Sequence, residues 1–105
     1  MQPDPQIVDR PVQTVVASVG PLRIILFGSA ARGEMGPDSD LDVLGVMPPG
    51  THRRKTAQRL YRQMGGLGVP FDIVVATSED LELHRSNPGV IYQTILREGM
   101  EVYAV

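Results

Sequence analysis

Apolar positions come in runs of two kinds along this chain. Ile7, Val8, Val12, Val15, Val16 and Val19 recur at roughly helical spacing and predict a first helix. Pro11 either kinks that helix or sits in the first turn of one capped by Asp9. Gly20-Pro21 ends it. Leu22 to Phe27 is short, β-branched and apolar on both faces, as a buried strand should be. Gly28-Ser29 breaks that run, Ala30-Ala31-Arg32 can start a short helix, and Gly33 to Ser39 is a turn-rich loop. Leu41 to Val46 alternates as a second strand and stops at Met47-Pro48-Pro49-Gly50. Ala57, Leu60, Tyr61 and Met64 then repeat at helical spacing, with Thr51 as the expected cap and Gly65-Gly66 and Gly68 as the stop.

Phe71 to Ala76 reads as a third strand. Thr77 with Asp80 three residues on resembles a capping box opening a short helix. Asn87-Pro88 pairs a cap with proline at the first helical position, and that helix should run to Glu98 and end at Gly99. Met100 to Ala104 closes the chain as a short edge strand. The sum is an α/β fold: a small mixed sheet of three or four strands flanked by helices. Strand order is not readable, but the segment between strands two and three is long enough for a helical crossover, which allows a parallel pair there. No internal repeat or low-complexity tract appears.

Composition narrows the class. A chain of 105 residues suggests one domain over 1–105, able to bury roughly 65% of its unfolded surface. Hydrophobic residues at 42% and charged residues at 21% are those of an ordinary soluble domain. A net charge of −2 argues against a protein that holds nucleic acid by phosphate neutralisation alone. With no cysteine there is no disulfide framework, thiolate metal site or cysteine nucleophile, which fits a reducing cytoplasm. No apolar run approaches a membrane span, and the N-terminus lacks the character of a signal peptide.

Three features bear chemistry. Gly28-Ser29 follows a buried strand, so the backbone there can approach a ligand closely and the Ser29 hydroxyl adds a donor. A helix starting just beyond would turn free N–H groups toward an anion. Alone, this is also an ordinary turn. Asp40-Leu41-Asp42 leads the second strand, and side chains two apart share a face, so two carboxylates point one way while Leu41 and Val43 enter the core. Like charges about 4 Å apart repel by on the order of 4 kcal/mol at an effective dielectric near 20. A hard divalent cation removes that repulsion, as does simple solvation at a strand end. Asp72 stands in an apolar strand, where a carboxylate is paired, coordinated or turned to water. If the second and third strands are neighbours, Asp72 joins the other two. Jointly, a phosphate seat and three carboxylates are what metal-dependent phosphoryl-group transfer requires. The chain has no Gly-x-x-x-x-Gly-Lys-[Ser/Thr] sequence, so it is not a Walker-type nucleotide binder.

Gly28-Ser29, ten residues, then Asp40-x-Asp42 resembles the signature of the DNA polymerase β-like nucleotidyltransferase superfamily. The stretch from Gly28 to Gly33 and Ser39-Asp40-Leu41-Asp42 is similar to its minimal nucleotidyltransferase (MNT) branch, which commonly occurs as the antitoxin partner of HEPN-domain toxins. The similarity spans nearly the whole chain and has no departure at the signature positions. It implies the polymerase β-like nucleotidyltransferase core. It implies that Asp40 and Asp42 hold two Mg²⁺ ions and that Asp72 completes the metal site near the attacking hydroxyl. It implies that Gly28 and Ser29 bind the β- and γ-phosphates of ATP. Arg32 either touches phosphate or pairs with an acidic neighbour. The implied reaction is transfer of AMP from ATP to a hydroxyl, releasing pyrophosphate. In the antitoxin branch the expected acceptor is a tyrosine of the HEPN-type toxin, within a cytoplasmic hetero-oligomer.

Other residues have plainer readings. His52-Arg53-Arg54-Lys55 with Arg59 and Arg62 form a basic helix surface, either solvated or facing a partner. His52 and His84 are isolated surface residues without metal-ligand spacing. Tyr61, Tyr92 and Tyr103 are core-edge residues, any of which could stack on adenine. Two functions compete with protein adenylylation. One is a non-catalytic antitoxin that neutralises by complex formation. The other is nucleotidyl transfer to a small molecule or RNA, which needs no protein partner.

Overall fold

A computed structural model gives the fold and describes residues 5–28, 31, 40–66, 70–84 and 91–105. In chain order the elements are α1 (Pro5–Val19), β1 (Arg23–Phe27), β2 (Leu41–Met47), α2 (Arg53–Met64), β3 (Phe71–Thr77), α3 (Ser78–His84), α4 (Ile91–Glu98) and β4 (Met100–Ala104). The strands form one mixed sheet ordered β3-β2-β1-β4. β1 is antiparallel to both β2 and β4, and β2 is parallel to β3. The parallel pair is the one the long intervening segment allows, with α2 as its crossover. β4 is the expected edge strand, its register with β1 shifting between Ile24 and Ile25. None of the described helices is long and apolar enough to cross a membrane.

Helices cover both faces, which is why the central strands are apolar on both sides. On one face Ile24, Leu26, Leu41, Val43, Met47, Ile73 and Val75 pack with Val15 of α1 and with Leu60 and Met64 of α2. On the other, Ile25, Leu44, Val46 and Ala76 pack with Leu81 of α3 and Ile95 of α4. Leu60 and Met64 are each 1% exposed, and burying side chains of this size contributes about 1.5–3 kcal/mol apiece. Gly99 ends α4 in so tight a space that a Cβ there would meet the Ile95 carbonyl oxygen at 2.4 Å and Ile25 Cγ2 at 2.6 Å.

Local chemistry explains the ends, with several differences from expectation. α1 runs unbroken through Pro11, so Asp9 does not cap a shorter helix. Gly20 ends α1 with φ +59°, and its N–H donates to the Val16 carbonyl. The cap of α2 is His52 rather than Thr51: His52 Nδ1 accepts the Lys55 N–H at 3.2 Å. Thr51 is unavailable because its hydroxyl donates to the Pro48 carbonyl at 2.8 Å, closing the turn after β2. The capping box of α3 forms as read. Thr77 Oγ1 accepts the Asp80 N–H at 3.0 Å, and Asp80 Oδ2 accepts the Thr77 N–H at 2.9 Å. Asn87-Pro88, expected to open the last helix, lies outside the described residues.

Candidate functional site

The site gathers where β1 ends and β2 and β3 begin. Phe27, the last residue of β1, pairs with Asp42 of β2, so Gly28 turns directly beside that aspartate. Gly28 has φ +67°, the left-handed conformation that glycine adopts without strain. A Cβ at this position would lie 2.3 Å from Asp42 Oδ2. Glycine is therefore needed twice here, for the turn and for the room that the Asp42 carboxylate occupies.

Across the parallel pair, Asp42 is the register partner of Asp72. Neighbouring strands are about 4.8 Å apart, and paired residues point to the same face. Two carboxylates thus start side by side on the α3/α4 side of the sheet. Asp42 is half-buried and Asp72 exposed. Leu41 and Val43, flanking Asp42, are buried on the opposite face, as the alternation requires. Asp40 stands exposed just before β2.

The expected meeting of three acids is incomplete. Among the described residues, no group of three or more His, Cys, Asp or Glu side chains comes close enough to hold a metal ion. At the free edge of β3, Asp72 Oδ1 accepts a hydrogen bond of 3.0 Å from the Tyr61 hydroxyl of α2. The same hydroxyl oxygen accepts the Ile73 N–H at 3.1 Å. The Tyr61 ring stacks on Phe71 with centroids 5.3 Å apart. The Ile73 N–H bond is the largest influence on the phenol and favours its ionised form. Burial and the Asp72 carboxylate oppose it and prevail, so the Tyr61 pKa is raised.

A partial cluster still fits magnesium. Mg²⁺ usually takes one or two carboxylates and completes its shell with water and substrate phosphates. The donors here are hard carboxylate oxygens, and glycine at position 28 leaves the room that the Asp42 carboxylate takes up. Ser29 and Arg32, expected to meet phosphate, lie outside the described residues, as does most of the loop that follows. Ala31 is in a turn.

Sequence reasoning missed Tyr61 as part of this site. Its helical spacing with Leu60 and Met64 marked a core edge, and Tyr61 is 41% exposed. The usable signal was a hydroxyl-bearing ring at the border of an apolar stripe, on the crossover helix that precedes Asp72. Tyr92 and Tyr103 are core-edge residues as read, packed on the two clusters. His52 is exposed, whereas His84 is half-buried beside Tyr92, with ring centroids 6.1 Å apart. On the basic helix, Arg53 pairs with Asp80 at 3.1 Å.

Comparison with known proteins identifies the family and the fold. The profile of a family described as nucleotidyltransferase domain matches residues 12–97. A structure described as a minimal nucleotidyltransferase is 32% identical, with a TM-score of 0.63, over 90% of this chain and 91% of that one. A toxin–antitoxin structure with AMP-PNP has a TM-score of 0.62 at 21% identity, over 93% of this chain and 74% of that one. A variant of the MntA–HpeT toxin–antitoxin pair, carrying glutamate for two aspartates, has a TM-score of 0.65 at 17% identity, over 92% of this chain and 72% of that one. The last two show the fold alone. No match is found among curated proteins.

Proposed function

This chain belongs to the nucleotidyltransferase domain family, and on that premise we propose that it transfers AMP from ATP to a tyrosine hydroxyl of a HEPN-type toxin, as the antitoxin of the pair. The observation that carries the reading is the register pairing Asp42 with Asp72, with Gly28 closed against the Asp42 carboxylate. The toxin–antitoxin folds, one of them with AMP-PNP, support the choice of partner and nucleotide.

In this reading Asp40 and Asp42 hold two Mg²⁺ ions, with Asp72 completing the set. The chemistry those ions supply when bound is charge neutralisation on the triphosphate and orientation for in-line attack. Gly28 and Ser29 receive the β- and γ-phosphates, with Arg32 as a further phosphate contact. Asp72 faces the acceptor and takes the proton of its hydroxyl. The acceptor oxygen bonds to the α-phosphorus, the bond from that phosphorus to the bridging oxygen breaks, and pyrophosphate leaves with the electron pair. The partner supplies the acceptor, so the working unit is a hetero-oligomer, in a cytoplasmic setting consistent with a chain free of cysteine.

The test is incubation with Mg²⁺, labelled ATP and the toxin partner. Label is expected on the toxin, and Asp42→Asn should reduce it by about 100-fold or more, the equivalent of several kcal/mol of lost charge stabilisation. Equal labelling by Asp42→Asn would falsify the reading. Neutralisation of the toxin without label would point to action by complex formation.

A further inference from the structure

We propose that Tyr61 is a positioning residue for this transfer, its hydroxyl fixing the Asp72 carboxylate at the free edge of β3. The inference rests on the reading that Asp72 serves the reaction. Its own basis is geometric. Tyr61 comes from α2, whose Leu60 and Met64 are anchored in the core, so the ring is delivered from a rigid element. Phe71 stacks on the ring at an interplanar angle of 27° and limits its rotation. The Ile73 N–H, pointing off the sheet edge, donates to the hydroxyl oxygen and thereby orients its single proton toward Asp72. Ring, backbone and carboxylate lock one another. Asp72 Oδ1 is committed, and among the described residues no donor is recorded on Oδ2. A carboxylate held by one oxygen presents the other in a defined direction, as outer partners of metal-ligating groups do.

A tyrosine that merely covered the edge of β3 would affect stability and nothing else. Tyr61→Phe separates the two roles, because it keeps the ring and its stacking and removes only the hydroxyl. Three quantities are read: the transfer rate at saturating ATP, the KM for ATP, and Mn²⁺ binding followed by calorimetry on the protein with a non-hydrolysable ATP analogue. We expect kcat to fall by about 10–100-fold and the Mn²⁺ dissociation constant to rise by about 10-fold, with KM for ATP unchanged. Wild-type kcat and wild-type Mn²⁺ binding in a folded Tyr61→Phe protein overturn the inference. Should Tyr61→Phe fail to fold, Phe71→Leu takes its place, since it frees the ring while keeping the hydroxyl. Weaker Mn²⁺ binding supports the proposal there, and unchanged binding overturns it. Asp72→Asn in the same assays separates the two levels of argument. If it is inactive while Tyr61→Phe is wild type, the positioning role alone falls. If Asp72→Asn retains full transfer, the role of Asp72 falls and takes this inference with it.

Discussion

Each end of β3 has an aspartate held by hydrogen bonds, and the two are held in opposite ways. Asp80, in the first turn of α3, receives the Thr77 N–H and the Arg53 guanidinium on one oxygen. Its own N–H returns a bond to the Thr77 hydroxyl. The Thr77 N–H is the chief reason that its pKa lies below the usual carboxylate range. Burial works against this, and the Thr77 hydroxyl contact and the Arg53 charge add to the lowering. Asp72 sits at the other end and receives one neutral donor, Tyr61. A second carboxylate, Asp42, is its register partner. The fold answers the Asp80 charge with backbone dipole and cation, which is how a structural carboxylate is kept. It orients Asp72 through a neutral hydroxyl beside another acid and, among the described residues, sets no ion-pair partner against it, an arrangement that favours a cation.

Exchanging charge at each end sharpens the contrast, and the largest effect is expected at Asp72. Asp72→Asn should lower transfer by about 100-fold while leaving thermal stability near wild type, because removing one of two adjacent like charges relieves repulsion. Asp80→Asn should do the reverse, with transfer kept and the melting temperature lowered. Paired activity and melting measurements on the two variants decide this, and the opposite assignment would sink the comparison.

Gly28→Ala comes next. A Cβ 2.3 Å from Asp42 Oδ2 at a positive φ forces the turn or the carboxylate to move. The expected loss is about 1–3 kcal/mol in denaturant unfolding, accompanied by loss of transfer. Thr77→Ala removes half of the capping box and should cost about 1 kcal/mol in the same assay with transfer intact.

The pH dependence of Asp80 is subtler. Its folded pKa is depressed, so its charge contributes stability above the unfolded value of about 4, and that contribution is lost as pH falls through the folded value. The difference in melting temperature between wild type and Asp80→Asn should therefore hold from pH 7 to about 5 and shrink below about 4. A difference that persists to pH 2 contradicts the assignment. Arg53→Ala should be smallest, under about 1 kcal/mol, because the Arg53 side chain is 55% exposed and its pair is screened.

Much of this molecule was legible in order along the chain. The two-residue alternation around Leu41–Val43, the apolar run into Phe27 and the Thr77–Asp80 box each depend on residues within a few positions of one another. The pairing of Asp42 with Asp72 was foreseen only on the condition that their strands meet, and they do. The cap of α2 was misplaced by one residue because Thr51 and His52 both have the chemistry for it. The demand of the Pro48 turn on the Thr51 hydroxyl decided between them. The bond from Tyr61 to Asp72 was illegible for a stronger reason. The partners of Tyr61 lie 11 and 12 residues away, on the far side of a helix-to-strand crossover.

Periodicity and punctuation are local properties, so amino-acid order alone set which segments became helices and strands, and which acids stood at strand ends. The sheet order, the antiparallel placement of β1 between β2 and β4, and the reach of Tyr61 over the edge to Asp72 depended on how the helices packed. Burial rewards any arrangement that covers both faces, and only the assembled core selects among those arrangements by fit.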